Sequence, residues 1–187
     1  MPQEVRTEFA EREGTRIAYR VFGTGSRDLV IVPGIISHVE YAHELPGYDE
    51  FIDYVAPHFR VIIFDKRGNG LSQKIGDLPP TLEQRMDDIR FVMDAVDSKQ
   101  ATIMGVSEGG SLSALFAAMY PDRTERLILF GAFAHTPGLE RLQRFPAFMH
   151  GFLKNRAMKK AVTRVHKTWG DGSFCRSVLP SRTMINS

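Results

Sequence analysis

The sequence predicts an α/β domain, a mostly parallel β-sheet with helices on both faces. Three observations predict it. Short, wholly apolar runs at 29–32 and 61–64 have the composition of strands buried on both sides, as parallel strands are. Between such runs lie segments whose apolar residues recur at steps of three and four, the period of an amphipathic helix. Strand and helix then alternate from residue 28 to residue 133.

The elements follow in order. VRTEFAEREGTRIAYRVFG reads as two short strands around a turn at Glu13-Gly14, the second alternating through Ile17, Tyr19 and Val21. DLVIVPG is a strand closed by Pro33-Gly34, and residues 48–55 read as a helix leading into the strand RVIIFD. Thr81 caps the next helix, with Gln84 three residues on to complete a capping box. Leu82, Met86, Ile89, Met93 and Val96 make its apolar stripe, while Asp87, Asp88, Arg90 and Asp94 lie off the stripe and are expected to face water. ATIMGV (101–106) is a strand, SEGGSLSALFAAMY (107–120) a helix stopped by Pro121, and RLILFGAF (126–133) one more strand. From Pro137 the pattern becomes basic and helix-like, with no strand to follow. The expected division is therefore 1–136, an α/β core, and 137–187, a basic helical segment.

Composition bounds the function. A hydrophobic fraction of 43% and a charged fraction of 25% belong to an ordinary globular chain. No apolar run is long enough to span a bilayer, and the opening MPQEVRTEFAEREG lacks the apolar core of a secretory signal. The single cysteine, Cys175, excludes an intramolecular disulfide and fits a reducing compartment, so a cytoplasmic location is the default expectation. A net charge of +2 over the 187 residues conceals an asymmetry, −6 over 1–136 and +8 over 137–187. Leu142, Phe145, Met149, Phe152 and Leu153 give the basic segment an apolar stripe that suits a lipid interface or a cap over an active site. The cap is the preferred reading, and neither membrane nor nucleic acid is an expected partner. No phosphate-binding glycine loop and no His/Cys cluster appears, so no cofactor and no metal is expected.

The chemistry centres on Gly105-Val106-Ser107-Glu108-Gly109, a G-x-S-x-G pattern. The pattern alone is common, and a serine there could simply cap an ordinary helix. Its context is more specific: Ser107 sits where an apolar strand ends and a helix rich in small residues begins, the setting of a nucleophile elbow. Gly105 and Gly109 permit a strained turn and close helix–strand packing. A serine attacking a carbonyl also needs donors for the oxyanion. The Glu108 backbone N–H is one candidate, aided by the positive end of the helix. The Ile35 N–H is the second, with Gly34 turning the backbone ahead of it.

Asp65-Lys66-Arg67-Gly68-Asn69-Gly70-Leu71-Ser72 completes the set, and here the chain resembles the α/β-hydrolase family from about residue 5 to 135. That family often carries a D-x-R-G-x-G-x-S loop upstream of its elbow. FDKRGNGLS, LEQRMDDIRFVMDAVDS, GVSEGG and WGDGSF resemble more narrowly the hydrolase domains attached to bacterial adenylate/guanylate cyclases. The resemblance implies structural roles for Asp65 and Arg67. It also implies a serine hydrolase of carboxylesterase or lipase type that forms an acyl-enzyme at Ser107 and acts on a small-molecule ester. The alternative it carries is a non-catalytic, hydrolase-like sensor domain.

Two departures from the family stand out. Its common His-Gly ahead of the oxyanion donor is Pro33-Gly34 here. Its triad acid and histidine follow two further strands, and neither strand is legible in this sequence. The expectation is thus an N-terminal portion of the fold, cut after about the sixth strand and the start of a helical cap, with impaired activity. His38, His43, His58, His135, His150 and His166 all lie away from the family's position for the base and read as surface or cap residues. With nothing to follow it, the uncharged run Leu127, Ile128, Leu129 and Phe130 forms a sheet edge, and self-association near 126–133 is expected.

Overall fold

The computed structural model describes residues 5–12, 14–34, 37–75 and 80–132. Six strands and three α-helices alternate as the sequence predicts: β1 Glu8–Arg12, β2 Thr15–Phe22, β3 Asp28–Val32, α1 Tyr48–Val55, β4 Arg60–Phe64, α2 Leu82–Ala95, β5 Ala101–Val106, α3 Gly109–Met119 and β6 Thr124–Phe130. They form one sheet in the order β1-β2-β4-β3-β5-β6. β1 and β2 run antiparallel to their neighbours, while β4, β3, β5 and β6 are mutually parallel. The carboxyl ends of those four strands therefore open onto one edge of the sheet.

The pleat distributes the apolar runs to both faces. On one face Val30, Val32, Ile62, Phe64, Ile17 and Ile103 pack against Met86, Ile89, Val92 and Met93 of α2 and against Leu112 and Phe116 of α3. Their alternates Leu29, Val61, Ile63 and Ala18 pack on the other face against Ile52 of α1 and Val39. An uninterrupted apolar strand is what this two-sided burial requires. The capping box forms as read: the Gln84 N–H donates to Thr81 Oγ1 and the Thr81 N–H donates to Gln84 Oε1.

Three side chains depart from the sequence reading. Leu82, the first residue of α2 at the head of the stripe, is exposed. Asp88 faces inward and is fully buried, since an arginine from the loop after β4 reaches it. His38, read as a surface or cap residue, is buried within the loop after β3.

The last strand ends earlier than expected, at Phe130. Among the described residues β6 pairs with β5 alone and forms one edge of the sheet, β1 the other. The segment 137–187 lies outside the described residues, as do Ile35, His135, His150, His166 and Cys175. Among the described residues no helix is long and apolar enough to cross a membrane.

Candidate active site

β5 stops at Val106, and α3 begins three residues later. Ser107 bridges them with a φ of 53°, in the left-handed region that side chains other than glycine rarely occupy. Glu108 is already helical at φ −60° and ψ −29°. Reversal within one residue leaves Ser107 exposed at the carboxyl edge of the sheet. Two hydrogen bonds hold the strained residue: its N–H donates to the Phe130 carbonyl at 2.9 Å, and its carbonyl accepts from the Gly110 N–H at 3.0 Å. Strain of this kind persists only where its surroundings over-determine it.

The flanking glycines show why the turn can be this tight. A Cβ on Gly105 would lie 2.5 Å from both Gly110 Cα and Ser113 Oγ, and one on Gly109 would lie 2.4 Å from the Val32 carbonyl oxygen. Strand, elbow and helix approach one another at backbone contact. Gly34 faces the serine, its would-be Cβ lying 3.4 Å from Ser107 Cβ and 3.9 Å from Ser107 Oγ. The loop after β3 thus reaches the elbow, as the oxyanion reading requires, although Ile35 itself lies outside the described residues. The Glu108 N–H belongs to the first turn of α3, where amides have no acceptor within the helix.

Asp65, Arg67, Gly70 and Ser72 in the loop after β4 each have a physical task. Asp65 is fully buried, and its Oδ2 accepts from the N–H groups of Val39 at 3.2 Å and Leu71 at 3.0 Å. Burial raises its carboxyl above the ordinary range, opposed by these hydrogen bonds. Gly70 sits so close to that carboxylate that a Cβ would fall 2.0 Å from Oδ2. The Ser72 hydroxyl donates to the Asp65 carbonyl at 2.5 Å and accepts from the Ala18 N–H at 2.8 Å, tying the loop to β2. Arg67 donates from Nε to Asp88 Oδ1 at 2.8 Å and from its backbone N–H to Oδ2 at 3.1 Å. Desolvation nonetheless keeps the Asp88 carboxyl above its usual range. These contacts are structural, as the resemblance implies for Asp65 and Arg67.

Lys66 was not singled out by the sequence. Its side chain is 1% exposed, and Nζ reaches Glu108 Oε2 at 2.5 Å. Arg85, from the first turn of α2, binds the other oxygen of the same carboxylate. Burial pulls the Lys66 ammonium below its ordinary pKa, while Glu108 acts in the opposite sense. A lysine beside the DxRG arginine was the available signal, but its burial is a tertiary fact.

Of the described histidines, His38 accepts at Nδ1 from the Glu40 N–H at 3.3 Å. His43 Nδ1 lies 2.6 Å from the Glu40 carbonyl on the exposed surface, and His58 precedes β4 at the opposite edge of the sheet. Among the described residues no group of three acidic, histidine or cysteine side chains is gathered as a metal site would require.

A mostly parallel sheet presenting a strained serine between a strand end and a helix start defines a class, the α/β proteins built around an elbow. Residues 29–179 match the family of the alpha/beta hydrolase fold, and the chain belongs to that family. It is 32% identical over 163 residues to a proline iminopeptidase, PfmaB, of Pestalotiopsis fici, a match covering 80% of this chain and 55% of that protein. It is 25% identical over 189 residues to the human serine hydrolase BPHL, covering 89% of this chain and 63% of that one. The crystal structure of a hydrolase from Pseudomonas aeruginosa superposes with a TM-score of 0.67 at 22% identity, covering 97% of this chain and 69% of that chain, and shares the fold. The chain therefore spans little more than half the length of these curated relatives.

Proposed function

We propose that the chain carries the nucleophile of a serine ester hydrolase of carboxylesterase or lipase type, with Ser107 in that role. The observation that carries the reading is the left-handed φ of 53° at Ser107, held at the end of a central parallel strand. Ordinary helix caps adopt extended backbone and need no such strain. The names of two relatives, a serine hydrolase and an iminopeptidase, support acyl-transfer chemistry in the family.

In this reading Ser107 Oγ attacks the ester carbonyl carbon while its proton passes to a general base. The carbonyl oxygen takes the negative charge and accepts from the N–H groups of Glu108 and Ile35, with Gly34 keeping the approach open. Collapse of the tetrahedral species expels the alcohol, which takes up a proton. The acyl-serine is then hydrolysed by water to release the acid and restore the hydroxyl. A positioned base contributes about 10²–10⁴-fold, so the turnover of this chain measures whether one reaches Ser107.

The test pairs a nitrophenyl acetate assay with a fluorophosphonate probe mapped by mass spectrometry. Label on Ser107, and weak esterase activity that disappears in Ser107→Ala, are the expected results. Turnover that survives Ser107→Ala would overturn the assignment. An intact chain that takes no label would favour the non-catalytic, ligand-sensing alternative.

A further inference from the structure

The Glu108 side chain has a task separate from its backbone. Glu108 directly follows Ser107, and its carboxylate is gripped from two sides, by buried Lys66 at 2.5 Å and by Arg85. Lys66 comes from the loop after β4, and Arg85 from the first turn of α2. Neither element is adjacent to the elbow in sequence. The pair of cations leaves one positive charge in excess, and the one further acidic group acting on Lys66, Asp88, is already paired with Arg67.

We infer that Lys66 and Arg85 are positioning residues for the acyl-transfer step, fixing the oxyanion-binding N–H of Glu108 by holding its carboxylate. The inference rests on the reading of Ser107 as nucleophile. The geometry gives it a mechanism. A backbone amide is fixed only as well as its peptide plane, and the plane between Ser107 and Glu108 begins at a strained residue. Anchoring the Glu108 side chain at both oxygens limits rotation about that plane. The excess positive charge lies in a site of low exposure, where a charge acts more strongly than in water. Both effects favour the negatively charged tetrahedral species over the neutral ester. They should therefore act on the rate of bond formation and leave ground-state affinity unchanged.

The experiment measures fluorophosphonate labelling of Ser107 in the full chain, resolved into the limiting rate and the half-saturating probe concentration. Arg85→Met is the first variant, because Arg85 is partly exposed and its replacement leaves buried Lys66 paired with Glu108; Arg85→Lys and Lys66→Met follow. Removing a whole oxyanion donor costs about 10²–10³-fold, so loosening one should lower the limiting rate about tenfold. Half-saturation should stay unchanged, and Arg85→Lys should restore most of the rate. Hydrogen exchange of the Gly110 amide, which donates to the Ser107 carbonyl at 3.0 Å, gives a readout independent of chemistry, and it should quicken in Arg85→Met while β3 and β4 amides keep their protection. Wild-type labelling that Arg85→Met and Lys66→Met leave unchanged, with unaltered Gly110 exchange, overturns the clamp and spares the nucleophile. A wild-type chain that takes no label overturns the nucleophile reading and, with it, the purpose assigned to the clamp. A loss of rate that appears only as weaker half-saturation overturns the positioning role in favour of probe binding.

Discussion

Alanine at position 109 would place a methyl carbon 2.4 Å from the Val32 carbonyl oxygen and 2.5 Å from that of Pro33. Carbon–oxygen contacts settle near 3.3–3.6 Å, so relief demands a movement of about 1 Å. The two oxygens are backbone atoms at the end of a strand held between β4 and β5, and cannot yield. The N-terminus of α3 must move instead, carrying Ser107 and Glu108 with it. Overpacking of this kind costs about 1–3 kcal/mol, within the 5–15 kcal/mol that a typical domain has. The effect on reactivity should be far larger, because a displacement of about 1 Å at reacting groups can cost 10²-fold. Gly14→Ala is the control. It forces a side chain into a left-handed conformation, φ 76°, but nothing lies within 4 Å of its Cβ, and it sits in the hairpin at the far edge of the sheet. Its conformational cost is about 1–2 kcal/mol, matching Gly109→Ala in stability without touching the elbow. Urea unfolding and the fluorophosphonate rate at Ser107 are measured for both. Gly109→Ala should lose about two orders of magnitude in rate, and Gly14→Ala almost none. Equal rates in the two variants would refute the claim that close backbone packing at Gly109 sets the position of the serine.

Arg67→Met removes the partner of a fully buried carboxylate and should cost about 3–5 kcal/mol by urea unfolding. Adding Asp88→Asn should recover most of that loss, since asparagine still accepts from the backbone N–H at position 67; a single variant costing under about 1 kcal/mol would contradict the buried pair. Because burial raises the Asp88 carboxyl, the folded state holds that proton more tightly than the unfolded chain, so the Arg67→Met defect should ease as pH falls toward the ordinary carboxylate range and deepen above it. At the sheet's edge, Leu127, Ile128, Leu129 and Phe130 are 39%, 44%, 51% and 65% exposed, an uncharged apolar run that follows Glu125 and Arg126 in the same strand. Self-association is expected in size-exclusion chromatography with light scattering, and Ile128→Lys should weaken it; a wild-type monomer that resists dilution would refute it.

Local chemistry made much of the architecture legible. α1 and the strands β3 and β5 fall within the runs read from periodicity, because an apolar alternation or a helical stripe is a property of a few consecutive residues. The capping box at Thr81 and Gln84 is local in the same sense. So is the placement of Ser107, which needed only an apolar strand ahead of it and small residues behind. The glycines at 105 and 109 were assigned close-packing roles on the same grounds, and each meets backbone at short range.

What the sequence by itself determined is therefore the alternation of elements, their boundaries to within a few residues, the family, and a serine at a strand-to-helix turn. Only the tertiary structure decided the strand order, in which β3 lies between β4 and β5 and brings Gly34 beside Ser107. It alone turned Asp88 inward to Arg67, buried His38, and joined Lys66, Arg85 and Glu108 into one cluster. The physical reason is range. Periodicity and capping act over one turn or one pleat and are written in neighbouring residues. The sign and type of a charged side chain, however, are the same in sequence whether it ends in water or against a partner 42 positions away, as Lys66 does against Glu108.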